Sequence, residues 1–208
     1  MTPLWRPALA ARQACPARPR VVEGGYPHEV NSTPRNQPQY QVRFDWGIDG
    51  ANALAPGADI LVWVDAIPGG DPDPGTIAHG GALVTGSTGS RVALADWVLA
   101  RQVELGDRAT VAVVAAGGPD GRFAVEDLLA AGAIIDAIAE VGIDYISPEA
   151  AAAVGAYIGL RNAVGHVLSA CVAGQELLAS GGRGAVDDAR AANASSGFAI
   201  LKEFRLPQ

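Results

Sequence analysis

Cysteine is nearly absent from this 208-residue chain: it has two, Cys15 and Cys171, far apart and in no CxxC or His/Cys metal spacing. That pattern indicates neither a disulfide framework nor a zinc site, and it fits a reducing cytoplasm. Basic residues are also scarce. Fifteen Lys and Arg stand against 22 Asp and Glu, for a net charge of −7, with no stretch of basic residues interleaved with aromatics. This balance argues against nucleic acid as a partner. No secretory h-region is visible, and no apolar run approaches the length needed to cross a bilayer, so no membrane role is expected. No GKS or GKT follows a glycine-rich turn and no HxxxH pair occurs, which leaves neither a Walker motif nor a helical zinc pair.

What is present is a chain rich in small and aliphatic residues. At 49% hydrophobic and 18% charged it can bury a sizeable core, and its length favours one domain. Residues 1–39 differ from the rest: seven prolines and five arginines occur there without a lasting apolar period, which reads as a mobile tail. Residues 40–208 then read as a single α/β domain. Tyr40-Gln41-Val42-Arg43-Phe44 alternates like a half-buried strand, and residues 47–54 come next as a short helix. Ile60-Leu61-Val62-Trp63-Val64 and Val111-Ala112-Val113-Val114 are continuously apolar, as strands buried on both faces are. Residues 81–85 form a short strand before a helix in which Val92, Leu94, Ala95, Val98, Leu99 and Val103 are expected to pack inward.

Strands alternating with helices predict a layered α/β/α domain with a mostly parallel or mixed sheet. The helix after Pro119-Asp120-Gly121 should turn one stripe, Val125, Leu128, Leu129, Gly132, Ile135 and Ala139, toward that sheet, with Glu126, Ala130, Ala137 and Glu140 on the other side. Gly132 costs roughly 1 kcal/mol against alanine in a helix interior, so it should mark the close approach of another backbone or of a ligand. Ser147-Pro148-Glu149 is a cap followed by proline at the first helical position. The Ala/Gly-rich helix it opens suits close packing on its own domain or on a second copy, as a homo-oligomer. A helix ends at Gly181-Gly182, residues 186–194 form another, and residues 198–201 a last strand.

Ligands of open α/β sheets bind beyond the carboxyl ends of the strands, which directs attention to the junctions there. Asp65 ends a buried strand; it is either a functional carboxylate or the first exposed loop residue. Asp71 and Asp73, in a Pro/Gly-rich loop, are either oxygen ligands for a hard cation or part of an exposed turn. Glu126 and Asp127 open a helix, where they suit its dipole or serve as metal ligands or a general base. Gly86-Ser87-Thr88-Gly89-Ser90 is either an anion-binding helix start or a plain cap. Of the three histidines, His79, before Gly80-Gly81, is the candidate for acid/base work; His166 sits within a helix and His28 in the tail.

The segment AAGGPDGRFAVEDLLAAGAI, residues 115–134, resembles a stretch of the 2-phosphosulfolactate phosphatase family, in which an Ala-Gly turn and Pro-Asp-Gly lead into a Glu-Asp-Leu-Leu-x-Ala-Gly-Ala-Ile helix. Residues 41–47, the strand 60–65 and residues 173–181 are similar to flanking parts of that family. The resemblance implies a magnesium-dependent phosphatase that removes phosphate from a small phosphorylated or sulfonated acid such as 2-phosphosulfolactate. Carried over by position, it implies Asp65, Glu126 and Asp127 as the acidic cluster that holds the metal; beside it, the catalytic candidates are Asp65, Glu126 and, from its loop position, His79, and the substrate-binding candidates are Ser87, Thr88, Gly89 and Ser90 at the helix start with Gly117 and Gly118. The chain departs from the family where Ala66-Ile67-Pro68-Gly69-Gly70 replaces its anion-binding helix start. Gly118 stands for a glutamate, and Asn193 or Ser195 for an aspartate before the last strand. The alternative is therefore a catalytically degenerate relative acting as a small-anion-binding or assembly protein.

Overall fold

A computed structural model describes residues 33–68 and 73–203. Five strands form one sheet: β1 (Val42–Trp46), β2 (Ile60–Val64), β3 (Ala82–Gly86), β4 (Val111–Ala115) and β5 (Ile200–Lys202), in the order β1-β4-β2-β3-β5. The first four run parallel and β5 closes the β3 edge antiparallel, so the fold is α/β with a mixed, mostly parallel sheet. The two most apolar segments, β2 and β4, lie side by side at its centre, where both faces are covered.

Side-chain alternation divides the core in two. Ile60, Val62, Val64, Val111, Val113 and Ala115 face a large cluster with α2 (Arg91–Leu105), α3 (Val125–Glu140), α4 (Pro148–Leu160) and α5 (Val164–Ala170). Leu61, Trp63, Ala112 and Val114 face a smaller one under α1 (Gly47–Leu54), with Ile77 and Leu83. The layers are thus unequal. α6 (Val172–Ala194) crosses the carboxyl end of the sheet, broken at Gly182, whose φ of 74° and ψ of −174° separate its two helical halves where Gly181-Gly182 predicts a stop. Among the described residues no helix is long and apolar enough to cross a membrane.

Several expectations change in detail. Residues 1–32 of the predicted tail lie outside the described residues, as do Asp71 and His28, but the chain from Thr33 belongs to the folded unit. Gln37 is buried, its side chain donating to the Phe44 carbonyl (2.8 Å) and accepting the Phe44 amide (3.2 Å), while the Asn36 side chain donates to the Ala53 carbonyl. The first strand starts two residues later than Tyr40, whose ring packs on Tyr145 instead. In α2, Leu94, Ala95 and Val98 are buried while Val92 and Val103 are exposed, because the helix touches its neighbours along a stripe narrower than its apolar pattern. α3 shows the opposite. Glu126, Ala130 and Ala137 are buried along with Leu129, Gly132 and Ile135 of the predicted stripe, while its Val125, Leu128 and Ala139 are half-buried, because α2 and α4 flank a helix that also lies on the sheet. The Gly132 expectation holds: the α4 backbone at Ala153 approaches there, and a Cβ would meet the Ala153 carbonyl carbon at 2.7 Å and Tyr157 Cβ at 2.9 Å.

Candidate active site

Because β2 and β4 are parallel neighbours, with Val64 opposite Ala115, the segments after them leave the same end of the sheet. β4 continues into Ala116-Gly117-Gly118, where Gly117 adopts a φ of +77°, a conformation that favours glycine. The Gly118 amide donates to the Arg122 carbonyl (2.7 Å), closing a turn that delivers the chain to α3. The first turn of α3 then carries Glu126 and Asp127 into the same crevice as Asp65.

Asp127 is a clasp between two strand ends. One of its carboxylate oxygens accepts the Ala66 amide (2.7 Å) and the other the Gly117 amide (2.9 Å), joining the ends of β2 and β4. Burial pushes this carboxyl up to about 7; the charges of Asp65 and Glu126 add to the effect and the two amides oppose it. Asp65, less buried, is raised to about 6, first by desolvation and then by Glu126, against the Ile67 amide. Glu126 is buried at 6% exposure. Burial also lifts the Cys171 thiol at the start of α6 to about 11, with the Gly174 amide opposing and Glu126 adding. Among the described residues, none of the three carboxylates forms an ion pair with Lys, Arg or His.

A cavity of about 440 Å³ opens over this cluster, and the first half of α6 adds Glu176 and Leu177 to its wall. Uncompensated carboxylates in one confined space disfavour ionisation of one another. Asp65 and Asp127 therefore bind protons more tightly in the folded protein than at their ordinary value of 3.8. Their stabilising contribution is complete below that value and is lost as pH rises through about 6 and 7. Denaturation measured in chelator is expected to show stability falling between about pH 4 and pH 8 by a few kcal/mol, at about 1.4 kcal/mol per pKa unit. A profile unchanged by Asp127→Asn would contradict this account.

Asp65, Glu126 and Asp127 thus meet in one crevice that Gly117 and Gly118 also line, whereas the remaining sequence candidates do not line it. His79 precedes β3 and lies at the amino end of the sheet, about five residues of strand, roughly 16 Å, from Asp65. It is buried against the Ala55 carbonyl (3.3 Å), burial lowers its pKa, and the Lys202 ammonium donates to its own carbonyl. Acid/base work at Asp65 is out of its reach. Ser87, Thr88, Gly89 and Ser90 sit at the correct end, beyond β3, but their amides do not form an open cradle. Ser87 N–H donates to Ser90 Oγ (2.9 Å), Ser90 N–H to Ser87 Oγ (3.2 Å) and Gly89 N–H to the Asn193 carbonyl (2.7 Å). The amides of Gly117 and Gly118 are engaged by Asp127 and Arg122, so five of these six residues donate within the protein. Asp73 accepts the Gly75 amide (2.8 Å) in its own turn.

The residues beyond these expectations are Glu176, in the cavity wall, and Asn193. The aspartate that the resemblance leads one to expect before the last strand points to the latter: Asn193 is buried against the segment leaving β2, its amide donating to the Ala66 carbonyl (2.5 Å), while Ser195 is exposed. Among the described residues, no group of three or more His, Cys, Asp and Glu side chains is arranged to hold a metal ion. The fold is α/β, and an acidic crevice lies at its carboxyl end. The sequence matches no protein-family model and no curated protein.

Proposed function

We propose that the protein is a metal-dependent hydrolase of small phosphomonoesters, working in the crevice above β2 and β4 with Asp65 and Glu126 as its functional carboxylates. The observation that carries this reading is the meeting of these two side chains, from a strand end and a helix start, in one cavity with no pairing cation among the described residues. Both oxygens of Asp127 hold backbone amides, so it serves as a positioning residue for Ala66 and Gly117. The donor set therefore does not make a three-carboxylate cage. Two carboxylates do fit magnesium, which keeps several waters and takes further oxygens from a phosphate.

When bound there, magnesium supplies charge neutralisation to phosphate oxygens. Asp65 and Glu126 would hold the ion, and Asp65, the less buried of the two, would be the carboxylate placed to orient a water. Asp127 keeps the two strand ends at a set separation, and Leu177 with Pro119 limits access of bulk water. A second reading, the catalytically degenerate assembly protein, is favoured by the engaged amides of Ser87, Gly89, Ser90, Gly117 and Gly118, which leave little to cradle a phosphate. Phosphate release from 2-phosphosulfolactate and a panel of small phosphomonoesters, with magnesium and again with chelator, separates the two. Release abolished by chelator is expected; no release from any ester by folded protein would overturn the phosphatase and favour the scaffold.

A further inference from the structure

A second cavity, of about 410 Å³, lies on the other side of the segment leaving β2, between the ends of β2 and β3. Trp63 and Thr85, opposite each other on these neighbouring strands, line it together with Pro68, Pro74 and, from the last turns of α6, Ala192 and Asn193. Asp65 borders both cavities. A molecule that reacts at Asp65 therefore has its remainder within reach of this one.

The lining has a definite chemistry. Among the described residues it contains no Lys, Arg or His, and its charged members are Asp65 and Asp73. A sulfonate or carboxylate placed here would lose hydration, meet no counter-charge and be repelled by two aspartates. An indole and two prolines offer apolar contact instead. Thr85 Oγ1 accepts the Ala199 amide (2.9 Å), which leaves its own O–H as a donor. Asn193, 6% exposed, donates from Nδ2 to the carbonyls of Ala66 (2.5 Å) and Ala189 (3.3 Å), so turning its amide over would set oxygen against oxygen. Its Oδ1 is a buried acceptor without a partner among the described residues.

We infer that this cavity receives the alcohol part of the substrate, and that this part is an uncharged, largely apolar group. The substrate class is then phosphomonoesters of neutral alcohols rather than of sulfonated or carboxylated acids. The inference rests on the phosphatase reading above. It is tested by comparing benzyl phosphate with 2-phosphosulfolactate under magnesium, where kcat/KM is expected to favour benzyl phosphate by about tenfold or more, the range that contacts in an apolar pocket supply. Ala192 lies on the exposed side of α6, so its replacement leaves the core intact. Ala192→Phe, which fills the cavity, should raise KM for benzyl phosphate about tenfold more than it raises KM for methyl phosphate, which has no group to occupy the cavity. Ala192→Arg should shift preference toward the sulfonated ester. Higher kcat/KM for 2-phosphosulfolactate in the unaltered protein would overturn the inference while the phosphatase reading stands. If no ester is hydrolysed, ligand-observed NMR with benzyl alcohol decides: saturable binding lost in Ala192→Phe upholds the cavity's ligand class, and no binding overturns it.

Discussion

Gly132→Ala is expected to lower the stability of the protein by about 3 kcal/mol, although alanine is the better helix former by roughly 1 kcal/mol. The added methyl has no room. It would lie against the Ala153 carbonyl and Tyr157 Cβ, and the nearest obstacle is backbone that no rotamer change can move. α3 and α4 would have to separate, opening the packing of a helix whose Leu129, Ile134, Ile135 and Ile138 are fully buried. Gly155→Ala supplies the control. Gly155 is on α4 with open space around its would-be Cβ, so this change should stabilise by about 0.5–1 kcal/mol. Denaturant midpoints at unchanged m-value measure both, and a Gly132→Ala protein as stable as the parent would refute so close a contact between the helices.

Asp65→Asn should reduce magnesium-dependent phosphate release by about 10²–10⁴-fold, the usual contribution of a positioned carboxylate. It should do so without loss of stability near neutral pH. Asp65 is raised to about 6 because its charge is poorly solvated and lies near Glu126, and a neutral isostere relieves both. The opposite signs separate a functional group from a structural one: a residue kept for the fold would lose activity and stability together. Circular dichroism melts alongside turnover provide the comparison, and undiminished turnover would remove Asp65 from the chemistry.

The central strands were legible because burial on both faces writes itself as a continuous apolar run in residues 60–64 and 111–114. Gly132 and the start of α4 at Ser147-Pro148 were legible for equally local reasons: a glycine inside a helical pattern and a cap before proline. Asp65, Glu126 and Asp127 could be placed together because parallel strands send their outgoing segments to a common end. That rule also applies to His79: preceding a strand, it belongs to the amino end, where it is buried against the Ala55 carbonyl. The clasp made by Asp127 was hidden, since its Ala66 partner lies 61 residues away and no local pattern encodes such a pair. The filled Ser87–Ser90 turn was hidden likewise, because the carbonyl that engages Gly89 arrives from the far end of α6.

These long-range bonds have a kinetic meaning. The Asn193 bond to Ala66 closes 127 residues, and that of Asp127 to Ala66 closes 61. Loop-closure entropy must be met before such contacts stabilise anything, which slows the folding of parallel sheets relative to helical bundles. The crevice is therefore a late product of folding: β2 and β4 can pair while α6 is still unattached, but neither cavity has its complete wall until the carboxyl end of the chain returns. A nascent chain halted before α6 would carry every carboxylate of the Asp65–Glu126–Asp127 cluster and still lack the enclosure in which those groups are set apart from water.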